Sequence, residues 1–308
     1  MLDLRFDYET CIRHSERVAW RLDEVMPPGT KLDFSRRFLP EALAGTGHLV
    51  WLSPIERLKL NQISGNAYLN LFQFVEEYIL AMALDHARAE KPADPKACRA
   101  LMRFAEEEVK HQELFARYRA AFDRDIGHPC GVVTGAEAVA ELILSKNPIA
   151  VLLVTCHLEL MTVQHYAECV RDDFGVDPFF AMLLKCHWLE EAQHAKIDAL
   201  ELDKRASLAT AETIESAIDE YLGLCAAFDE LVERQARLDV ESLKAVTGRA
   251  YTPDESREIE ASQHLGYKKT FIWYGMTNPT FVDYVSKMSE EGAKRVASHA
   301  KRYAEPLP

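Results

Sequence analysis

Hydrophobic residues recur at the spacing of one helix face along most of the chain, and alternating strand-like patterns are nearly absent. The pattern therefore predicts an all-α fold. A helix is expected around Cys11–Glu24, followed by an irregular stretch from Met26 to about Ser53. Four long core helices come next, each opening with a capping residue and then proline, a favoured helix start. They are predicted at 54–86, 95–123, 148–170 and 178–207.

The connections between the core helices are those of a ferritin-like bundle. Short turns join the first pair and the last pair, and a longer crossover joins the middle pair through a loop at Gly127–Gly135 and a short helix to about Lys146. Beyond Thr210 the pattern stays helical, with breaks near Gly248–Pro253 and Asn278-Pro279. The sequence therefore predicts a single helical domain, 1–308: a ferritin-like four-helix bundle at about 54–207, with additional N- and C-terminal helices.

Composition narrows the classes of protein to consider. The net charge of −13 argues against nucleic acid or an anionic membrane as a main partner. The most apolar stretch, Ile149–Val154, is too short to span a membrane, and the first residues lack the pattern of a signal peptide. Seven cysteines without a Cys-x-x-Cys motif indicate neither a disulfide framework nor a zinc site. A reduced, cytoplasmic setting is expected.

Two Glu-x-x-His motifs lie in the core helices: Glu108 with His111 in the second, and Glu191 with His194 in the fourth. Residues three apart project from the same side of a helix, so each motif offers a carboxylate and an imidazole together. Two such helices facing each other, each backed by an inward glutamate from another helix, form the dinuclear metal site of ferritin-like bundles. The motifs therefore predict a metal centre inside the bundle.

The first and third core helices supply glutamates at matching positions. Glu76 precedes Glu108 by 32 residues and Glu159 precedes Glu191 by 32 residues, as two similar helical hairpins would produce. This spacing, together with apolar neighbours on the same helix face, favours Glu76 as the first ligand. Glu77, on a more polar face, stays the alternative.

The identity of the metal is predicted from the charge and the chemical type of the ligand atoms. A single Glu-x-x-His motif arises by chance, but two motifs with two equally spaced glutamates and apolar flanks point to a site. Burying four carboxylates is costly unless positive charge compensates them, and two divalent cations would do so. Oxygen and nitrogen donors without thiolate suit iron or manganese. The prediction is two iron ions, with manganese or mixed Mn/Fe as alternatives, held by Glu76, Glu108, His111, Glu159, His187, Glu191 and His194.

Several neighbours of the ligands have open roles. Glu107 and Glu190 each precede a ligand glutamate, and either orients the histidine of the opposite helix by accepting its other ring N–H or is a surface charge. Asp198, one turn after the second motif, is a weaker candidate for such a role. His157 and His165 do not share the face of the third-helix glutamate and are interpreted as structural.

The spacing His187-x-x-x-Glu191-x-x-His194 resembles the p-aminobenzoate N-oxygenase family of ferritin-like diiron proteins, in which the last core helix carries an additional histidine ligand. Residues 75–79, Val-Glu-Glu-Tyr-Ile, are similar to that family's first ligand helix, and Glu159 stands where its third helix gives one glutamate. The resemblance covers about residues 55–207. It departs where this chain has glutamate immediately before each motif, since aspartate is more usual there.

The resemblance implies iron, dioxygen activation and a homodimer. The expected function is that of an oxygenase or oxidase that uses O2 to oxidise a small organic substrate, with N-oxygenation of an amine as the leading interpretation. No Rossmann glycine pattern occurs, so the reducing equivalents would come from a separate electron donor. A non-enzymatic iron-binding ferroxidase of the ferritin type is the alternative, and a metal-free helical scaffold is a further one.

Overall fold

The computed structural model describes residue 2, residues 4–90 and residues 93–304. The helical content is 78% and no strand is present among the described residues, which confirms the predicted all-α class. The predicted N-terminal helix is divided in two, α1 at Tyr8–Val18 and α2 at Leu22–Val25, because Ala19 leaves the helical conformation with ψ 137°. A short helix, α3 at Glu41–Ala44, lies in the stretch predicted to be irregular.

All four predicted core helices are present. The first two end four and two residues later than predicted, the third ends at the predicted residue through a π-helical extension, and the fourth ends one residue earlier. The residue before each of these helices accepts a hydrogen bond from a backbone amide of the first turn; these residues are Ser53, Asp94, Asn147 and Asp177. The chain order is α4 at Pro54–Glu90, α5 at Pro95–Asp125, α6 in the crossover at Ala136–Leu144, α7 at Pro148–His165 with a π-helical extension at Tyr166–Val170, and α8 at Pro178–Ala206.

Helix α4 runs unbroken through Gly65, where the sequence pattern is weakest. A Cβ atom at this position would lie 2.8 Å from the Cβ of Phe38 and 3.2 Å from the ring of Phe180. Glycine therefore allows the irregular N-terminal stretch and helix α8 to pack directly against α4. The cost of glycine inside a helix is offset by this close packing.

The C-terminal third consists of helices that pack on the bundle. They are α9 at Ala211–Thr247, α10 at Pro253–Lys268 followed by a π-helical turn at Lys269–Trp273, α11 at Tyr274–Thr277, α12 at Pro279–Met288 and α13 at Glu290–Ala304. Helix α9 contacts both α4 and α7, and α10 lies along α9. The breaks fall where they were predicted, although a single domain over the whole chain stays a prediction.

Helix α7 with its π-helical extension, Pro148–Val170, is long and apolar enough to cross a membrane by length and composition, even though its uninterrupted apolar run is short. However, 78% of its apolar window is buried inside the protein. It also carries buried polar side chains, including Thr155, His157 and Glu159. A helix that is apolar on all sides is typical of the centre of a bundle, and this location accounts for its composition.

Candidate metal centre

Six of the seven predicted ligands meet at the centre of the bundle. Their donor atoms form two groups, and within each group the atoms lie within 4.8 Å of one another. All six side chains are buried. One group consists of Glu76, His111, His187 and Glu191, and the other of Glu108, His111, Glu191 and His194. The two groups share His111 and Glu191, as expected for two adjacent cation sites.

Glu191 lies between the two groups. Its Oε1 atom is 2.6 Å from Nε2 of His187 and 3.2 Å from Nδ1 of His111. Its other oxygen, Oε2, is 3.2 Å from Nδ1 of His194. One carboxylate therefore faces all three histidines, a position suited to bridging two cations.

The remaining glutamates of the prediction occupy different environments. Glu159 lies outside both groups, but it lines a small cavity of about 10 Å³ together with Glu76, His187 and Glu191. This volume is about the room of one water molecule. Glu77 is exposed, whereas only 2% of Glu76 is exposed. The geometry therefore favours Glu76 over Glu77 as the inward glutamate of α4.

The histidines of both motifs are oriented by glutamates of the opposite helix. Nε2 of His111 lies 2.9 Å from Oε2 of Glu190, and Nε2 of His194 lies 3.0 Å from Oε2 of Glu107. Because an ionised carboxylate only accepts hydrogen bonds, each Nε2 donates its proton to the glutamate. The Nδ1 atoms of both rings consequently point at the ligand carboxylates. Of the two roles open at Glu107 and Glu190, the structure thus favours orientation of the histidines.

The donor atoms at the centre require positive charge. With Nε2 protonated, Nδ1 of a neutral His194 has a lone pair, yet it lies 3.0 Å from Oε1 of Glu108. No described residue donates a hydrogen bond to either carboxylate oxygen of Glu76. Such contacts between acceptors are unfavourable unless a cation or a proton lies between them. The buried donors therefore fit divalent cations.

The pKa values of these groups point to the same requirement. Burial, reinforced by the charges of Glu108 and Glu191, raises the pKa of Glu76 well above its ordinary value. Burial alone would lower the pKa of His194, but the charge of Glu191 and hydrogen bonds to carboxylates raise it well above the ordinary value. At the third ligand histidine the direction is opposite, because burial and the charges of the other two ligand histidines lower the pKa of His187 well below its ordinary value. Negative charge is thus unfavourable at Glu76, and His187 is held as a neutral imidazole, the form that binds a metal ion.

The two orienting glutamates are themselves held by residues that were not predicted from the sequence, namely the third residue of each motif and a serine of α1. Glu107 accepts hydrogen bonds from Ser15 of α1 at 2.6 Å and from Gln193 at 2.5 Å. Glu190 accepts one from Lys110 at 2.5 Å. The Lys110 ammonium also lies 4.3 Å from the centre of the Trp20 ring, which stacks on His111. The inward position of Lys110 within the first motif was the one available signal.

Other polar residues near the centre have distinct environments. His157 contacts the Tyr221 hydroxyl at 2.7 Å and the Phe271 carbonyl at 2.9 Å, which supports its structural interpretation. His165 is buried, and no described residue forms a hydrogen bond with either of its ring nitrogens. Asp198 is also buried without a hydrogen bond from a described residue, and burial raises its pKa well above the ordinary value. Asp198 therefore orients no ligand histidine.

Comparison with known proteins identifies the family. No curated protein sequence matches the chain. Among solved structures, a mutant of R2-like ligand-binding oxidase with an aerobically reconstituted Mn/Fe cofactor matches with a TM-score of 0.45 and 16% identity, over 85% of this chain and 93% of that chain. The family model of p-aminobenzoate N-oxygenase AurF matches residues 13–248, which contain all seven predicted ligands and both orienting glutamates. This match confirms the predicted dinuclear cofactor and the predicted enzyme class. The chain belongs to the p-aminobenzoate N-oxygenase family and is a ferritin-like oxygenase or oxidase.

Proposed function

We propose that the chain inserts oxygen from O2 into the nitrogen of a small aromatic amine, using two iron ions at the centre of the bundle. One observation carries this proposal. Both motif histidines turn Nδ1 towards buried carboxylates while Nε2 is held by a glutamate of the opposite helix. This arrangement presents histidine lone pairs and carboxylate oxygens to the same space, which is the donor set of a dinuclear iron site.

The proposed ligands are the seven residues predicted from the sequence. Glu191 would contribute to the binding of both ions, since it belongs to both donor groups, and His187 would add a third histidine on the side of Glu76 and the small cavity. Glu159 would complete the set from α7, since it lines the same cavity. Iron is proposed over manganese on the basis of the family, because the donor types alone suit both metals.

The reaction requires electrons and protons in addition to O2. In N-oxygenation to a hydroxylamine, one oxygen atom joins the amine nitrogen and the other leaves as water, which consumes two electrons and two protons. When bound, the metal ions would supply the site at which O2 is reduced. The residues of the chain hold the ligand histidines in one tautomer and keep bulk water out, since the whole ligand set is buried.

We also propose an electron donor, an oligomeric state and a cellular location for this reaction. A separate electron donor is proposed because the described residues form an all-helical bundle without a nucleotide-binding sheet. A homodimer is proposed from the family, and a cytoplasmic location from the seven free cysteines. No main partnership with nucleic acid or with a membrane is proposed, given the net charge of −13.

The test begins with metal content, measured by plasma mass spectrometry on protein loaded anaerobically with ferrous iron. About two ions per chain are expected, and His187→Ala should lower this number. The loaded protein is then given O2, a chemical reductant and an aromatic amine, and the products are identified by mass spectrometry. Incorporation of one labelled oxygen atom from O2 into the amine would support the proposal.

The controls separate this function from the alternatives. Lys96→Met, on the exposed part of α5, should bind metal and form product as the wild type does. Iron oxidation without any oxidised amine would instead favour a ferroxidase. Absence of metal uptake by the wild type would contradict both interpretations.

A further inference from the structure

A second pocket lies at the end of the bundle where α4 and α8 finish and α7 begins. It has a volume of about 220 Å³ and is open to solvent. Its polar lining contains three cationic side chains, Arg88 from α4, Lys146 from the loop before α7 and Arg205 from α8, together with His86 and Asp85 of α4. The pocket therefore offers an environment for negative charge.

The carboxylates near the pocket do not pair with all of its cationic side chains. Arg88 pairs with Asp85 on the rim at 3.3 Å, and Arg205 comes within 4.0 Å of Glu201, whereas Lys146 has no ion pair with a described residue. The Nε atom of Arg205 is buried without a hydrogen-bond partner among the described residues. Lys146 and Arg205 consequently keep donors for a further partner.

Glu201 lies behind the pocket and is already occupied. Nδ1 of His86 lies 2.9 Å from its Oε2, and the Tyr8 hydroxyl donates a hydrogen bond to its Oε1 at 2.6 Å. Burial alone would raise the pKa of Glu201, but the nearby His86 imidazole and the hydrogen bond from Tyr8 lower it. This carboxylate fixes the His86 ring at the wall of the pocket.

The remaining lining is apolar. The side chains of Met82, Leu144 and Val151 contribute to it. A cavity of about 150 Å³ is known to accept benzene, so the volume is sufficient for an aromatic ring with an acidic substituent. The combination of cationic donors and apolar wall matches an organic anion better than an inorganic one.

This pocket is separate from the metal centre. His86 follows Glu76 by ten residues on α4, which corresponds to about 15 Å along the helix axis. Of the lining residues, Met82 also contacts α7, where its Sδ atom lies 3.6 Å from Oγ1 of Thr155. We propose that this pocket binds a small organic anion, a carboxylate or phosphate carried on an apolar body, and that it does so independently of the metal ions.

The test is isothermal titration of the full chain, metal-free and at low salt, with benzoate and with inorganic phosphate as probes. Saturable binding of benzoate is expected. The double variant Lys146→Gln with Arg205→Gln should weaken it by about tenfold or more, because charge-assisted hydrogen bonds are the strong ones. The matched control, Arg257→Gln with Lys294→Gln, removes the same charge from two exposed positions and should leave the affinity unchanged.

Two further variants test whether benzoate binds in this pocket. Leu144→Ala, on the rim of the pocket, should weaken benzoate and leave phosphate unchanged, because only benzoate has an apolar body. If the double variant has a lower thermal midpoint than the wild type, Lys146→Gln alone provides the same readout at a half-buried loop position. No saturable benzoate binding, or equal affinity in the double variant and its control, would overturn the proposal. These results do not depend on metal loading or oxygenase activity, so they stand apart from the proposed function.

Discussion

The two sides of the metal centre use the same sequence motif but support it differently. On α5 and on α8 the order is Glu-Glu-x-x-His, and the first glutamate of each binds the histidine of the other helix at 3.0 and 2.9 Å. Glu190 is held directly by the ammonium of Lys110 at 2.5 Å. Glu107 is held by neutral donors, Ser15 and Gln193, and Arg103 donates to the same Ser15 hydroxyl at 2.6 Å.

Two identical sequence motifs can therefore have different electrostatic surroundings. Lys110 is only 14% exposed, so its pair with Glu190 is little screened by water. Around Glu107 the positive charge of Arg103 acts through a hydroxyl. Burial alone would raise the pKa of Glu107, but hydrogen bonds from His194 and Ser15 lower it to about 2. Both glutamates are thus held as acceptors, one mainly by a charge and the other mainly by hydrogen bonds.

The largest effect is expected from replacing Glu191, the residue that faces both sides of the centre. Glu191→Ala should reduce the metal content from about two ions per chain to nearly none, because Glu191 belongs to both groups of donors. His187→Ala, which affects one group, should leave about one ion. Plasma mass spectrometry after anaerobic loading measures both. Two retained ions in Glu191→Ala would show that this carboxylate does not bridge the sites.

The second prediction compares the orienting glutamates. Glu190→Gln and Glu107→Gln should each weaken metal binding by about 10–100-fold, the usual effect of losing the group that orients a ligand histidine. The effect should be larger for Glu190→Gln, since it also leaves the Lys110 ammonium buried without its partner. Competition with a chelator gives the affinities. Equal losses would indicate that the lysine contributes little.

Whether a feature could be predicted from the sequence depends on how far apart along the chain the residues that form it lie. The core helices were predictable because Ser53-Pro54, Asp94-Pro95, Asn147-Pro148 and Asp177-Pro178 are local start signals. The convergence of the motifs was predictable because it follows from helical spacing and from two intervals of 32 residues. The division of the N-terminal helix at Ala19 was not, since no glycine or proline marks it.

The residues that hold the two orienting glutamates could not be predicted, because they lie far from those glutamates along the chain. Ser15 is 92 residues from Glu107, and only the docking of α1 on α5 and α8 brings them together. The pocket formed by His86, Lys146 and Arg205 likewise assembles three distant segments. Local periodicity carries no information about such contacts.

The third prediction contrasts a buried glutamate that has hydrogen-bond partners with one that lacks them. In metal-free protein, Glu76→Gln should raise the free energy of unfolding by about 1–3 kcal/mol, because an uncompensated buried carboxylate is removed. Glu107→Gln should lower it by a similar amount. Chemical denaturation with urea at neutral pH measures both. A lower free energy of unfolding in Glu76→Gln than in the wild type would contradict the interpretation that the buried Glu76 carboxylate is uncompensated.

The pH dependence of the same variants has opposite signs. The pKa of Glu76 is raised, so the wild type loses stability from this group as the pH rises above the ordinary value of 4.5, and Glu76→Gln should lack that loss. The pKa of Glu107 is lowered, so its contribution is present above pH 4.5 and disappears as the pH falls towards 2. Unfolding curves across this range distinguish the two groups.

The smallest effects are expected from replacing the residues that hold the orienting glutamates, and they compare the charged donor at Glu190 with the neutral donors at Glu107. Lys110→Met should weaken metal binding by about tenfold, since a little-exposed charge is lost from Glu190, whereas Ser15→Ala should weaken it by about two- to threefold, since Gln193 still donates to Glu107. Added salt should change neither affinity difference by much, because both partners are buried. Lys96→Met and Ser145→Ala, at exposed positions, serve as matched controls measured by the same chelator competition. A larger loss in Ser15→Ala than in Lys110→Met would mean that the helix α1 contact, and not the lysine charge, is the stronger support of the centre.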